Sequence, residues 1–469
     1  MENFYNKMKK YTVILAVTAA VLLVSFLTVF IMYKSRLKDK QEKAEEYANM
    51  SSGQNSTSDH IEDDNDISDD GTGDNTVDTS NTAGTENKTE ASSENGKSTE
   101  DNSASTEDTS LTETTEKADA TDIDRMVEEK LAQMTLREKV CQLFIVTPEA
   151  LTGYSLCTSA GDATKEALQR YPVAGVIYFS DNLESYEQTE EMIRLTKQYA
   201  EERTGVPFFV SVDEEGGIVA RCADKLGTTT FDNMYNYREE GTETAYNNAL
   251  TIATDIRNIG FNLDFAPVAD TWSNSENTVI GRRAYSDDFE EAATLVAAAV
   301  KGFNDGGVIC TLKHFPGHGD TSEDSHSGTA YSYKTLDELK EQEFLVFKSG
   351  IKAGADMVMV AHITMPEVDD QPAVLSHKLI TEVLRNELGF DGVVITDALN
   401  MGAISDNYSS GEAALRCINA GADLLLMPYD FEAAIEGIEE AVNSGELSES
   451  RIDESVRRIL KLKYSRLSK

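Results

Sequence analysis

Eight short apolar runs recur from about residue 121 onward, and longer stretches with helical spacing of apolar positions separate them. Strands that are apolar on both faces are typical of a parallel sheet covered by helices. Eight strand–helix units of this kind predict an α/β fold with a closed (β/α)8 TIM-type barrel, and an open doubly wound sheet is the alternative. The runs span residues 143–147, 174–179, 207–213, 261–270, 307–314, 356–362, 392–397 and 423–428.

The segments between these runs predict amphipathic helices, of which the clearest cover residues 186–205, 289–306, 336–354 and 376–390. Several end at or near a glycine, which suits the left-handed position that closes many helices. No GxGxxG or P-loop sequence follows any apolar run. The pattern therefore favours the closed barrel over a nucleotide-binding open sheet.

A different pattern marks the start of the chain. Residues 11–33 are uncharged and mostly apolar, and 23 helical residues span a hydrocarbon core of roughly 30 Å. We interpret this stretch as a transmembrane anchor that follows a cytoplasmic segment over residues 1–10. A cleaved signal peptide is the alternative.

The segment over residues 34–120 is an acidic linker rich in serine and threonine. Within it, residues 41–120 hold 22 Asp or Glu against 4 Lys and almost no aromatic residues. Such a composition buries too little apolar surface to offset the entropy of ordering, so we expect a disordered stalk. The expected arrangement is a single-pass membrane protein with an extracellular barrel over residues 121–469. The alternative is that the linker is a cytoplasmic spacer.

The net charge and the cysteine content argue against nucleic-acid binding, a disulfide framework and a zinc site. The formal net charge of −41 argues against a nucleic-acid partner, because no basic surface would offset repulsion by phosphates. The five cysteines include no CxxC pair, and Cys141 and Cys310 lie inside apolar segments. We expect buried thiols rather than disulfides or a zinc site.

Charged side chains and histidines stand at the ends of the predicted strands. A barrel brings the carboxyl ends of its strands to one rim, so residues far apart in sequence form one pocket there. Buried charge is costly unless it is paired or faces a ligand, which favours a functional site over isolated surface ion pairs. The residues are Asp213, Asp270, Lys313, His314, His362 and Asp397.

The loop "KHFPGHGDTSEDSHSG" over residues 313–328 carries three of the six histidines. Together with "SVDEEGGIVAR", "FNLDFAPVAD", "IGRRAYSDD" and "LRNELGFDGVVITDALNMGAI", it resembles glycoside hydrolase family 3. Within this family, the histidine-bearing loop resembles the corresponding loop of the β-N-acetylglucosaminidase branch. The resemblance begins at "MTLREKVCQLFI" (134–145) and runs to the end of the chain.

This resemblance implies a role for each matching residue. Asp397 would be the nucleophile, and His326, oriented by Asp324, would be the general acid and base. Glu214 and Glu215 lie in a glycine turn that we expect to serve backbone geometry, so they are left outside the site. The resemblance implies that the terminal sugar is held by Asp213, Arg221, Arg283, Lys313 and His314.

The implied function is a retaining exo-β-N-acetylglucosaminidase that acts on peptidoglycan fragments without a metal or other cofactor. A β-glucosidase or β-xylosidase of the same family is an alternative, as is an inactive glycan-binding module on the cell surface. A metal-dependent hydrolase is a third alternative. Its possible ligands are His314, His318, Asp320, Asp324 and His326.

Overall fold

The computed structural model describes residues 121–321, 328 and 330–468. The predicted cytoplasmic segment, anchor and linker over residues 1–120 lie outside these ranges, as do Asp324 and His326. Within the described ranges, no helix is both long enough and apolar enough to cross a membrane.

Each of the eight predicted runs corresponds to one strand of a single parallel sheet. The strands are β1 (Phe144–Val146), β2 (Gly175–Ile177), β3 (Phe209–Val212), β4 (Leu263–Asp264), β5 (Ile309–Phe315), β6 (Met357–Val360), β7 (Val393–Thr396) and β8 (Leu425–Leu426). They pair in the order β7-β6-β5-β4-β3-β2-β1-β8, and a parallel bridge between Ile395 and Leu424 joins the two ends of the sheet. The predicted α/β barrel of eight parallel strands is therefore confirmed.

Burial explains why continuous apolar runs form these strands. Every residue of the eight strands is buried. One face of each strand packs inside the barrel and the other faces the surrounding helices, so both faces need apolar side chains. The five cysteines are free and buried, which confirms the prediction of buried thiols at Cys141 and Cys310.

Helices follow the strands and each buries one face. Residues 121–131 are helical, and a π-helix covers Lys378–Glu387. The α-helices are Leu136–Cys141, Pro148–Thr152, Asp162–Arg170, Tyr186–Thr204, Arg221–Leu226, Thr242–Ile259, Phe289–Asp305, Leu336–Glu341, Glu343–Lys352, Gly402–Ser405, Ser410–Ala420, Phe431–Ser444 and Glu449–Leu467.

Short strands extend the barrel beyond its carboxyl end. A hairpin of Glu214–Gly216 and Val219–Ala220 follows β3. A three-stranded sheet consists of Ala330–Tyr331, Ile363–Met365 and Asp369–Pro372. Both additions stand on the side of the barrel where the predicted site residues lie.

Two helix predictions need correction. The helix predicted over 336–354 breaks at Gln342, and both Leu339 and Phe344 are buried. Residues five apart on one continuous helix lie about 140° apart around its axis, so the break allows both to reach the core. The helix predicted over 376–390 is π-helical rather than α-helical over most of its length.

The glycine prediction is confirmed at Gly205, Gly354 and Gly389, which have positive φ. It is wrong at Gly306, which keeps right-handed backbone with φ −71°, while Gly307 takes φ 77°. A Cβ on Gly306 would lie 2.4 Å from the Cβ of Ala253. Gly306 therefore serves close helix packing.

The amino end of the barrel buries a lysine. Lys463 of the last helix donates to Gln142 Oε1 at 2.9 Å, and its Nζ lies 4.9 Å from the ring centroid of Phe209. Burial lowers the pKa of Lys463 to about 7. The neutral amine is thus favoured in the folded protein far more than in the unfolded chain.

We predict that Lys463→Met removes a pH dependence of stability. Between pH 7 and the unfolded pKa near 10.5, the unfolded chain binds a proton that the folded protein does not, so the wild-type free energy of unfolding rises with pH. Relative to wild type, the variant should lose about 1 kcal/mol per pH unit over this range in urea unfolding. Lys461→Met, at a side chain that is 60% exposed, is the matched control. Parallel pH curves for wild type and Lys463→Met would contradict the prediction.

Candidate active site

The carboxyl ends of the barrel strands surround a cavity of about 540 Å³. This volume lies within the roughly 300–1,000 Å³ of small-molecule sites. Asp213 directly follows β3, Lys313 and His314 belong to β5, and Asp397 directly follows β7. The cavity lining includes six of the predicted site residues, namely Asp213, Arg221, Arg283, Lys313, His314 and Asp397.

Alternating charges form one side of the cavity. Lys313 Nζ lies 2.7 Å from Asp213 Oδ1 and 2.6 Å from Glu215 Oε1. Arg283 donates to the same Glu215 carboxylate through Nε at 2.9 Å and Nη2 at 2.8 Å. Two carboxylates and two cations thus form a compact network, as buried charges require.

The network keeps its members ionised despite burial. Burial opposes the charge on Glu215, yet Arg283 and Lys313 hold its pKa well below the usual range. Burial likewise disfavours the charged lysine, but Asp213 and Glu215 raise the pKa of Lys313 above its ordinary value. The charged states are therefore stable together at neutral pH.

Arg221 is the first residue of the helix Arg221–Leu226, and one N–H group of its guanidinium is unpaired within the described chain. Its buried Nε makes no hydrogen bond to any part of the chain that the structure describes. Glu214 holds the first turn of this helix by accepting the backbone N–H groups of Cys222 at 2.7 Å and Ala223 at 3.0 Å. Burial raises the pKa of Glu214 to about 7. Arg221 also belongs to the cavity lining, where a guanidinium suits a polar ligand.

Asp270 orders the two described histidines of the cavity. Its carboxylate accepts the backbone N–H of His314 at 3.1 Å and that of His318 at 2.6 Å, and it lies 2.7 Å from His314 Nδ1. Burial alone would raise the pKa of Asp270, but His314 and the N–H donors hold it below the ordinary value. The sequence predicts Asp270 at the rim of the barrel. In the structure it does not line the cavity but binds the backbone of His314 and His318, which do.

Asp397 directly follows β7, and its backbone is hydrogen-bonded to the end of the neighbouring strand β6. Its backbone N–H donates to Val360 O at 2.9 Å, and its Oδ1 accepts the N–H of Ala398 at 2.7 Å. The N–H of Leu399 donates to Leu426 O at 2.9 Å. These bonds fix the carboxylate at the end of a rigid strand, on the lining of the cavity.

Apolar side chains form much of the remaining cavity lining. Ile177 of β2, Met359 of β6 and Leu426 of β8 belong to it. Met427 also lines the cavity and has a left-handed backbone with φ 48°. A cavity with charged and apolar sides matches a pyranose ring, which has hydroxyl groups at its edge and C–H groups on its faces.

The structure does not describe Asp324 and His326, which follow Thr321 and precede Gly328 in the chain. Their predicted roles as orienting carboxylate and general acid/base therefore stay predictions. The roles of the six residues on the cavity lining are also predictions, although their shared location is observed.

Residues 126–462 match the model of the glycosyl hydrolase family 3 N-terminal domain. The chain belongs to glycosyl hydrolase family 3. The matched region contains all eight barrel strands and the whole cavity lining.

Two curated relatives of this family 3 chain carry the name β-hexosaminidase. β-Hexosaminidase A of Pseudoalteromonas piscicida is 34% identical over 324 residues, which are 64% of this chain and 54% of the relative. A β-hexosaminidase of Stenotrophomonas maltophilia strain K279a is 36% identical over 271 residues, which are 56% of this chain and 78% of the relative. The chain thus spans about half the length of the first relative.

A solved structure is similar to the family 3 barrel. The glycoside hydrolase family 3 β-N-acetylglucosaminidase from Paenibacillus sp. str. FPU-7 superposes with a TM-score of 0.67 and is 40% identical. The match covers 71% of this chain and 63% of that one. Both fold and sequence thus relate the chain to the branch that the sequence motifs indicated.

The expectation that the glycine turn keeps Glu215 out of the site is wrong for this family 3 chain, because Glu215 lines the cavity and pairs with two predicted sugar-binding cations. The short strand Glu214–Gly216 continues the chain just beyond Asp213. In extended chain, residues two apart share a face, so Asp213 and Glu215 lie on one side and Glu214 on the other. Period-two alternation was the signal that could have identified Glu215.

We predict that Asp270→Asn destabilises the protein and impairs its cavity. An amide offers one acceptor and two donors, so at least one N–H of the loop would face another N–H inside the protein. The expected loss is about 3 kcal/mol of unfolding free energy, measured in urea. Asp288→Asn is the control, because asparagine caps a helix as well as the exposed aspartate does. Equal stability of Asp270→Asn and wild type would refute the supporting role of Asp270.

Proposed function

We propose that this chain is a retaining exo-β-N-acetylglucosaminidase, which releases terminal β-linked N-acetylglucosamine through a covalent glycosyl-enzyme intermediate. The observation that carries the proposal is the shared cavity of Asp397 and the charged network of Asp213, Lys313 and Glu215. A carboxylate on a rigid strand suits attack at an anomeric carbon. Densely placed charged donors and acceptors suit the hydroxyl groups of one sugar.

The sugar specificity of the proposal rests on the relatives. Two curated relatives are named β-hexosaminidase, and the similar Paenibacillus structure is a β-N-acetylglucosaminidase. The exo mode comes from the family resemblance of the sequence motifs.

The proposed mechanism has two displacements at the anomeric carbon. Asp397 attacks while His326 protonates the departing glycosidic oxygen, which leaves the sugar bonded to the Asp397 carboxylate. His326 then removes a proton from water, which displaces Asp397 and restores the enzyme. Asp324 favours the protonated imidazole in the first step. Asp397 supplies the nucleophile and His326 supplies the proton, so the mechanism requires no cofactor.

We further propose that the barrel acts outside the cell membrane on peptidoglycan fragments. The support is the apolar stretch over residues 11–33 and the acidic linker over residues 34–120. A flexible, self-repelling tether would let an anchored enzyme reach glycan ends at a distance from the membrane.

Substrate turnover by the full chain tests the proposed β-N-acetylglucosaminidase activity. Release of p-nitrophenol should be faster from the β-N-acetylglucosaminide than from the β-glucoside or β-xyloside. Asp397→Asn should lower kcat/KM at least about a thousandfold, because the amide is a poor nucleophile. His326→Ala should lower it about 10²- to 10⁴-fold, since a positioned acid/base contributes that much.

Three results of this assay would count against the proposal. Preference for the glucoside or xyloside would identify the alternative activities of the family. A folded wild type that binds N-acetylglucosamine without turnover would indicate a glycan-binding module. Full activity of Asp397→Asn would exclude this residue as the nucleophile.

We predict that turnover survives removal of divalent metal ions. In the proposed mechanism, Asp397 supplies the nucleophile and His326 the proton, so no step needs a metal ion. Wild-type kcat/KM should be the same before and after dialysis against EDTA. Loss of activity that zinc restores would instead support the metal-dependent alternative.

A further inference from the structure

The charged network leaves a defined set of donors for a ligand. Arg283 uses Nε and Nη2 on Glu215 and Nη1 on Val279 O at 2.9 Å. Lys313 uses two of its three protons on Asp213 and Glu215. A guanidinium has five N–H bonds, so two remain on Arg283 and one on Lys313 after the contacts within the described chain are counted.

Glu215 has almost no capacity left for a ligand of its own. Its Oε1 lies 2.8 Å from Arg283 Nη2 and 2.6 Å from Lys313 Nζ, and its Oε2 lies 2.9 Å from Arg283 Nε. The Glu215 side chain is only 4% exposed. Its contacts are thus made to the two cations, although it belongs to the cavity lining.

We infer that Glu215 is a positioning residue, which fixes the unused donors of Lys313 and Arg283 for the hydroxyl groups of the terminal sugar. This inference rests on the proposed function. The forked pair sets the plane of the guanidinium, and the lysine contact sets the direction of its remaining proton. Without the carboxylate, two buried cations would repel each other and turn toward other acceptors.

Asp423 provides a matched case at the opposite end of the barrel. Its fully buried carboxylate pairs with Arg385 and, at 3.2 Å, with Arg458. It precedes β8 and accepts the N–H of Val394 at the start of β7 at 3.0 Å. Asp423 therefore joins two arginines as Glu215 joins two cations, but it does not line the cavity.

The test compares Glu215→Gln, Glu215→Asp and Asp423→Asn in the full chain. Dissociation constants for N-acetylglucosamine come from calorimetry, and kcat/KM comes from the p-nitrophenyl substrate. Glu215→Gln should weaken binding at least tenfold and lower kcat/KM by about a hundredfold, because misplaced binding groups cost that much. Glu215→Asp retains the charge but is one methylene shorter, so its losses should be smaller.

Asp423→Asn separates positioning from structural support. Both amide variants should lower the melting temperature, because each leaves buried cations without their carboxylate. Only Glu215→Gln should change the dissociation constant, while Asp423→Asn should stay within twofold of wild type per folded molecule.

Two outcomes would overturn the inference while leaving the proposed function intact. One is binding within twofold of wild type in both Glu215 variants. The other is an equal loss of binding in Asp423→Asn. A folded wild type that neither binds N-acetylglucosamine nor hydrolyses its glycosides would overturn the proposed function and this inference with it.

Discussion

The pairing of buried charge at the carboxyl end of the barrel is the constraint on which the site depends. Lys313 belongs to a strand whose residues are all buried, so its ammonium group cannot remain charged without close carboxylates. Asp213 and Glu215 provide them, and Glu215 extends the network to Arg283. The same charges that stabilise one another also form a wall that can bind hydroxyl groups.

The two ends of the barrel treat buried charge differently. At the amino end, Asp423 accepts from side chains and backbone that bind the last helix to the sheet, including Ser455 Oγ at 2.7 Å. These groups face each other across packed elements. At the carboxyl end the paired groups line an open cavity, and Arg221 has a donor that the described chain does not satisfy. The charges at the amino end therefore stabilise the fold, whereas those at the carboxyl end are placed where a ligand can contact them.

The barrel could be predicted from sequence because its strands are buried on both faces and therefore appear as continuous apolar runs. Strand ends then located Asp213, Lys313 and Asp397 on one rim. Glu215 was not predicted in the site, because its glycine turn suggests a purely local, structural role. The position of Glu215 on the cavity lining depends instead on the alternation of side chains that continues beyond β3.

Helix details were harder to predict because tertiary packing decides them. The break at Gln342 allows Leu339 and Phe344 to be buried together, and neither residue signals a break by itself. Gly306 has the residue type of a helix terminator, yet the proximity of Ala253 determines its role. The apolar pattern of one sequence predicts which face of a helix is buried, but not which other helix packs against that face.

In the proposed mechanism, Asp397 carries the sugar between the two displacements. A fluorinated N-acetylglucosaminyl fluoride, which forms the intermediate faster than water resolves it, tests this claim by mass spectrometry of the intact chain and its peptides. We predict one added sugar per molecule, located on the peptide that contains Asp397 and absent from Asp397→Asn. A sugar attached to another residue, or wild-type turnover of substrate without any trapped adduct, would rule out the intermediate on Asp397.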